Sequence, residues 1–385
     1  MKKLILYTKF IAVFLFVVSC SNNENQPVLT IMPLQTAVSV SDLRSFIDTV
    51  IFIPLINDSN NLISEVSKIL IDNNTNILLL DHMQGVKLVD QNGVFIRNIG
   101  AKGRGPGEYQ DIEDLSISSD GEYLLVLQPT GVLKYRISNG KFINKINLSG
   151  KNYDAICSSE DGGFFLFSSN PAEESNFDKP FYALTLFDIK GNIKREFLPR
   201  KDFVFTQGIF TQSYDKSTIM RPQEGDNIAY KIGKEIIPFL KIDFKNYAIP
   251  PKYIFKDGGD LFEGMKNYLF SDYYKLPIHI HDTKDYIYFS SIGPSALQND
   301  FVFSKSNNKG FRWVYERSDR DPLFIMASDS TYFYTVIYRD REDLKVGSSK
   351  NANLRDFIMY KLSQMPNSNH DAFIVKMKFC NNERS

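Results

Sequence analysis

The chain has few cysteines, a single tryptophan and no excess of either charge. Three cysteines in 385 residues are too few for a disulfide scaffold, and a chain of this length can bury its core without one. Lys+Arg and Asp+Glu are both 45, so there is no net positive field to attract nucleic acid. We therefore expect no nucleic-acid partner and no disulfide framework.

The common catalytic signatures are also missing. The chain has no Gly-x-Ser-x-Gly nucleophile motif and no Asp-x-Asp-x-Asp-Gly calcium loop. The stretch GAKGRGPGE at residues 100–108 lacks the Gly-Lys-Ser/Thr ending of a phosphate loop and comes before a predicted strand where that loop needs a helix. Cys157 lies in an apolar strand and is expected in the core. No cofactor is predicted, and whether the protein is an enzyme stays open, with the balance toward a non-catalytic role.

The first nineteen residues have the pattern of a targeting segment. Lys2 and Lys3 precede Phe10–Val18, an apolar run of nine residues that is too short to span a bilayer. Val17-Val18-Ser19-Cys20 resembles a bacterial lipobox, which makes residues 1–19 a lipoprotein signal peptide and Cys20 the lipidated residue. Residues 20–45 are then a tether and N-terminal segment. The resemblance implies a lipid anchor in the outer membrane. Glu24 is the only acidic residue close after Cys20, so the choice between the periplasmic and the surface-exposed side stays open.

A repeated strand pattern fills the rest of the chain. Aromatic residues make up 14% of the chain, with 31 Phe and 20 Tyr, which suits β-sheet faces. A turn followed by an apolar run recurs about every 50 residues, at 76–81, 121–127, 162–167, 285–289 and 330–334, with a weaker copy at 217–220. Hairpin turns follow several copies, as at 89–93, 137–140 and 187–191. This spacing predicts six four-stranded units, at 62–99, 110–148, 152–198, 203–244, 276–316 and from 322 to the end.

The last unit lacks a strand, and the N-terminus can supply it. Asp371–Phe379 is the third strand of that unit, after which the chain stops. Val50–Leu55 is the predicted outer strand, where Pro54 is tolerated at an edge. We therefore predict an all-β fold for residues 46–385, a single six-bladed β-propeller of four-stranded antiparallel blades that is closed by this pairing.

The glycine-rich stretch 99–123 is the most specific motif in the chain. Gly100, Gly103, Gly105 and Gly107 fall within eight positions, and Glu108-Tyr109 follow them. The stretch resembles the NHL-like six-bladed β-propellers that occur as lipoproteins in Bacteroides and its relatives, a family whose function is largely unknown. An Ile-Pro-Leu strand near the start, here residues 53–55, is another habit of that family. The resemblance implies a propeller anchored in the cell envelope.

Three insertions and the glycine loop are predicted to share one face of the ring. The insertions are 170–180, 245–275 with a short helix at Leu261–Leu269, and 340–370 with an amphipathic helix at 353–362. Loops on a rigid scaffold are common binding surfaces. We therefore predict a non-catalytic binding or scaffold protein that recognises a peptide, glycan or protein partner there. Its candidate binding residues are His82, Arg104, Glu108, Tyr109 and Arg339. The alternative for Glu108 and Tyr109 is that they brace the turn between two blades.

A second hypothesis is a metal-dependent lyase or hydrolase that acts at the mouth of the central channel. His279 and His281 alternate along a strand, so both imidazoles are expected to reach one divalent ion, with His82 as a third ligand. The alternative is two partly exposed histidines at a strand end. A metal is expected only under this second hypothesis.

Overall fold

The computed structural model describes most of the chain from residue 28 onward. The described residues are 28–56, 62–148, 152–169, 181–200, 208–223, 226–250, 253, 261–316, 322–339, 353–365 and 370–380. The signal peptide and Cys20 lie outside them. Most elements are strands, and no described helix is long and apolar enough to cross a membrane.

The first three strands of the chain belong to three different sheets. They are β1 (Leu29–Ile31), β2 (Ala37–Ser39) and β3 (Ile47–Leu55), with a short helix, α1 (Pro33–Thr36), between the first two. The strands of the first three blades follow in chain order. Blade 1 contains β4 (Val66–Ile71), β5 (Ile77–Asp81), β6 (Gly85–Val89) and β7 (Phe95–Ile99). Blade 2 contains β8 (Asp114–Ile117), β9 (Tyr123–Gln128), β10 (Gly131–Arg136) and β11 (Phe142–Asn147). Blade 3 contains β12 (Ala155–Ser158), β13 (Phe164–Phe167), β14 (Phe181–Phe187) and β15 (Ile193–Arg200).

The second half of the ring has the same plan. Blade 4 contains β16 (Phe210–Gln212), β17 (Thr218–Met220), β18 (Ile228–Ile232) and β19 (Ile236–Ile242). Blade 5 contains β20 (Ile278–Asp282), β21 (Tyr286–Ile292), β22 (Gln298–Ser304) and β23 (Gly310–Val314). Blade 6 contains β24 (Ala327–Ser328), β25 (Phe333–Tyr338) and β26 (Ala372–Phe379). The first strands of neighbouring blades contact one another around the centre, so the predicted six-bladed β-propeller is confirmed.

The strands nearest the N-terminus close the ring and also add to the outer strands of two blades. β3 pairs antiparallel with β26, so the predicted pairing of Val50–Leu55 with the last strand is confirmed and extends back to Ile47. Before that point, β1 pairs parallel with β19 and β2 pairs parallel with β23. Blades 4 and 5 therefore have five strands, and the segment before residue 46 is part of the folded ring from Leu29 onward.

Apolar side chains fill the spaces between blades. Six buried clusters lie one at each interface between neighbouring blades. Because a blade packs against a neighbour on each face, its middle strands are buried on both sides, and every residue of β5 is buried. This explains why the repeat appears in the sequence as continuous apolar runs.

The predicted helices form, but one of them packs into the ring. α2 (Leu261–Leu269) lies between blades 4 and 5, and α3 (Leu354–Ser363) follows β25. Asn353 caps α3 by accepting a hydrogen bond from the Asp356 N–H. The apolar side of α3 is buried in the cluster between blades 5 and 6, and the helix contacts the turn Leu43–Ser45. The apolar side of α3 is therefore not part of an open surface. Residues 170–180 lie outside the described residues, and a face shared by all three insertions stays a prediction.

Candidate functional site

The glycine loop between β7 and β8 is a compact hydrogen-bonded turn. The Gly103 N–H donates to the Tyr109 carbonyl, and the Tyr109 N–H donates to the Ala101 carbonyl, both at 3.0 Å. The Glu108 carboxylate accepts a hydrogen bond from the Gly105 N–H at 2.7 Å. Gly107 has a φ of +76°, and a Cβ there would lie 2.6 Å from the Phe142 ring. The loop therefore has a defined shape, and Gly107 is required at its point of contact with blade 2.

Tyr109 supports this loop from beneath and is not a surface group. Its side chain is 1% exposed. Its hydroxyl accepts a hydrogen bond from the Val86 N–H at 3.0 Å and donates one to the Ile99 carbonyl at 3.1 Å. Tyr135 packs edge-on against it and donates its hydroxyl to the Gly107 carbonyl at 2.9 Å. The prediction that Tyr109 offers its ring to a ligand is corrected, since the ring is enclosed between blades 1 and 2 and the alternative bracing role describes its contacts.

A groove of about 690 Å³ lies between the glycine loop and the outer half of blade 2, within the size range of ligand pockets. Its opposite wall is the Gln128–Gly131 turn together with the outer strand β11. The polar lining side chains are Arg104, Glu108, Gln110, Asp111, Gln128, Thr130 and Lys145. Leu133 and Phe142 supply apolar surface. A groove of this make-up can hold an extended or ring-shaped ligand that carries both polar and apolar groups.

The charged groups of the groove differ in how they are held. The Lys145 ammonium donates to the Thr130 hydroxyl at 2.8 Å, and the Gln128 amide donates to the same hydroxyl at 3.0 Å. The Arg104 side chain is exposed and, within the described part of the chain, makes no hydrogen bond or ion pair. Its five N–H donors are therefore available to a carboxylate or another planar acceptor.

The remaining predicted binding residues lie apart from the groove. His82 is exposed after β5, and its carbonyl accepts a hydrogen bond from the Lys102 ammonium at 2.5 Å, which places it beside the glycine loop. Arg339 follows β25 in blade 6, where its guanidinium lies 5.4 Å from the centre of the Phe373 ring. The structure thus brings Arg104 and Glu108 together, but His82 and Arg339 do not line the same groove. A single site containing all the predicted residues is therefore not formed.

The two histidines of β20 do not follow the simple alternation that the sequence suggested. His279 has a φ of +50°, and the pairing with β21 slips between Ile278 and His281. Burial lowers the pKa of His279 to about 4, with a smaller effect from Arg221. Burial and then the neighbouring His279 lower the pKa of His281 to about 3. Both imidazoles are therefore neutral at neutral pH.

The expected third metal ligand is not beside them. His82 belongs to blade 1, whereas the pair belongs to blade 5. Among the described residues, no three His, Cys, Asp or Glu side chains are grouped to hold a metal ion. His279 instead packs against the Phe324 ring, with 4.6 Å between ring centres. The described residues thus do not form the three-histidine site of the second hypothesis.

Polar contacts cross part of the centre of the ring. The Ile71 N–H donates to the Gln212 side chain, and the Lys216 ammonium donates to the Ile71 carbonyl, both at 3.0 Å. These contacts join blades 1 and 4, which lie opposite each other. Lys68 forms an ion pair with Asp114 nearby. The cavity among these residues is only about 30 Å³, enough for a water or two. In the described structure the rim is therefore better suited than this part of the centre to hold a ligand.

Sequence reasoning found one wall of the groove and missed the other. Arg104 and Glu108 were identified through the glycine motif, whereas Gln128, Phe142 and Lys145 were not. The available signal in the sequence was the pair of consecutive apolar residues Phe142 and Ile143 in the predicted outer strand. The structure shows both of them exposed.

Comparison with known proteins agrees with this architecture. The profile of DUF4934, a domain of unknown function, matches residues 29–371. The chain belongs to the DUF4934 family. No curated protein sequence matches this DUF4934 chain. Among solved structures, it is similar to a Bacteroides fragilis protein assigned as exported, with 14% identity, a TM-score of 0.71 and coverage of 92% of this chain and 100% of that one.

A second structural relative has the same fold at lower similarity. It is a DUF4221 family member from Bacteroides vulgatus, with 12% identity, a TM-score of 0.53 and coverage of 87% of this chain and 97% of that one. At these identities the similarity to the two solved structures shows the propeller fold alone.

Proposed function

We propose that this protein is an exported, lipid-anchored binding or scaffold propeller of the cell envelope that holds a partner in the groove beside the glycine loop. The fold and the similarity to an exported Bacteroides fragilis protein support the envelope and the binding or scaffold role. The lipobox-like sequence ending at Cys20 supports a lipid anchor in the outer membrane.

The observation that carries the proposal is the groove itself. It has a ligand-sized volume, and its glycine-loop wall is fixed from beneath by the buried hydroxyls of Tyr109 and Tyr135. A wall that is already ordered lowers the entropy cost of binding. The exposed guanidinium of Arg104 gives the groove one strong site for a carboxylate or phosphate, and the Phe142 ring adds apolar contact. This combination suits a peptide, a glycan or a segment of a protein partner.

The proposal is tested by screening the purified protein against peptide and glycan arrays and titrating each binder. Arg104→Ala is expected to weaken a groove binder at least about tenfold, because a charge-assisted hydrogen bond contributes about 1.5–3 kcal/mol. Arg195→Ala, the same change on the outer strand of blade 3, is the control. Melting temperatures of both variants should stay near that of the wild type, since both side chains are exposed. If every binder is equally sensitive to the two substitutions, the groove is not the binding site.

A further inference from the structure

The outer strands of this propeller accept an additional strand, and the protein uses this property twice. β1 pairs parallel with the end of β19, from Leu29 opposite Leu240 to Ile31 opposite Ile242. β2 pairs parallel with the start of β23, from Ala37 opposite Gly310 to Ser39 opposite Arg312. Three residues are thus enough to add a fifth strand to a blade. Blades 1, 2, 3 and 6 have no such addition among the described residues.

β11 is the most accessible of these uncovered outer strands. It forms the edge of its sheet, and its first four residues are all exposed, with Phe142 at 37% and Ile143 at 45%. An uncovered strand of this kind presents unpaired N–H and C=O groups to any extended chain that approaches it. The exposed residues of β11 occupy the start of an outer strand, which is where β2 pairs with β23.

The other three uncovered edges are less suitable. The outer strand of blade 6, β3, contains Pro54, which lacks an N–H donor. β15 contains Pro199, which lacks an N–H donor, and its Lys194 is paired with Asp161. β7 has five residues, and its exposure alternates along the strand. β11 contains no proline, and its Phe142 and Lys145 also line the groove. An added strand at β11 would therefore continue directly into the proposed binding site.

The charge of this edge indicates what kind of chain it fits. Residues 141–148 contain Lys141 and Lys145 and no acidic residue. Arg104 adds an exposed positive group across the groove, while Asp111 and Glu108 contribute the negative charges of that wall. Glu108 already accepts a hydrogen bond from the loop backbone. Opposite charges on an approaching strand are therefore favoured along β11 itself.

We propose that the partner is an extended peptide segment, alternating apolar and acidic residues, that adds to β11 as a fifth strand. This inference rests on the proposed function, since it names the class of partner that the groove would hold. Main-chain hydrogen bonds to the free edge supply affinity, while Lys145 and Arg104 select carboxylates and Phe142 and Ile143 contact apolar side chains.

The test uses a fluorescein-labelled peptide of about eight residues that alternates valine and glutamate, a length typical of strands. Two derivatives carry N-methyl groups on the odd or on the even residues, and a third has lysine in place of glutamate. Binding to the full-length protein is measured by fluorescence anisotropy, and hydrogen exchange locates the contact. The protein variants are Lys145→Glu and, as the matched control on blade 3, Arg195→Glu.

Strand addition predicts a loss of at least about tenfold in affinity for one N-methyl frame and little loss for the other, because alternate amides face the edge. It also predicts weaker binding of the lysine peptide, weaker binding to Lys145→Glu but not to Arg195→Glu, and slower exchange within residues 142–147. Equal affinity of both N-methyl peptides and the parent overturns strand addition. So does an absence of binding at about 1 mM, the weak end of specific association. If either result overturns strand addition, array ligands whose binding depends on Arg104 would still support the groove as the binding site.

Discussion

Asp300 is a buried carboxyl whose protonation should control the stability of blade 5. It lies in β22, where every residue is buried, and its own side chain is 0% exposed. One carboxyl oxygen accepts hydrogen bonds from the Ser290 hydroxyl at 2.5 Å and the Gln298 amide at 2.9 Å. Trp313 lies directly opposite on β23.

Burial raises the pKa of Asp300 from its ordinary value of 3.8 to about 7, although hydrogen-bond donors led by Ser290 and Gln298 act in the opposite direction. Between these two pH values the folded protein keeps the proton and the unfolded chain releases it. The stabilisation from this difference is fully present below pH 3.8 and is lost as the pH rises toward and through 7. From pH 5 to pH 8 the expected loss in the free energy of unfolding is about 2.5 kcal/mol.

The measurement compares urea unfolding of the wild type and Asp300→Asn at several pH values between 5 and 8. Asparagine resembles the protonated carboxyl in shape and charge, so the variant should not lose stability through this site as the pH rises. The difference in unfolding free energy between the two proteins should therefore change by about 2.5 kcal/mol in favour of the variant over this range. Asp48→Asn, the same change at an exposed carboxylate, is the control.

Trp313 provides a second, local readout because it is the only tryptophan in the chain. Ionisation of the opposing carboxyl should change the fluorescence of the folded wild type with a midpoint near pH 7 and leave Asp300→Asn unchanged. If wild type and Asp300→Asn keep a constant stability difference from pH 5 to pH 8, Asp300 does not titrate in this window and the reasoning fails.

Three further predictions follow from the loop, the ring closure and the N-terminus. Tyr109→Phe should destabilise the protein by about 1–3 kcal/mol in urea unfolding, because it leaves the buried Val86 N–H without its acceptor; an unchanged midpoint would contradict the bracing role. A chain that begins at about residue 60 should aggregate in light scattering, because β26 loses its partner β3; a soluble, cooperatively unfolding product would argue against closure by the N-terminus. Cys20→Ala should move the protein from the membrane to the soluble fraction on immunoblots, and continued membrane association would refute the lipid anchor.

The sequence predicted the ring well because the ring is built from local repeats. Each blade repeats an apolar run and a tight turn, and Gly93 and Gly191 take the positive φ values that such turns favour. Closure was predictable for the same reason, since a unit that stops at Phe379 needs an outer strand from elsewhere. The fifth strands β1 and β2 were not predicted, because three-residue pairings leave almost no periodic signal.

The site was harder to predict because exposure and backbone irregularity depend on tertiary contacts. Tyr109 follows four glycines in a loop, which favoured a surface position, yet packing against Tyr135 buries it. His279 and His281 obey two-residue spacing in sequence, but the positive φ of His279 breaks the regular strand. The groove combines residues from a loop, a turn and an outer strand, and no linear motif contains all three.

The polar contacts at the centre and the exposed residues at the rim differ in how much a substitution there should disturb the fold. Contacts such as Lys216 to the Ile71 carbonyl join opposite blades, so a substitution that removes one leaves a part-buried polar group without its partner. Residues at the rim, such as Arg104 and Ile143, are exposed and can change at little cost to the fold. In this chain the N-terminal segment covers two outer edges, and the edge beside the glycine loop is the one that combines exposed backbone, positive charge and a ligand-sized groove.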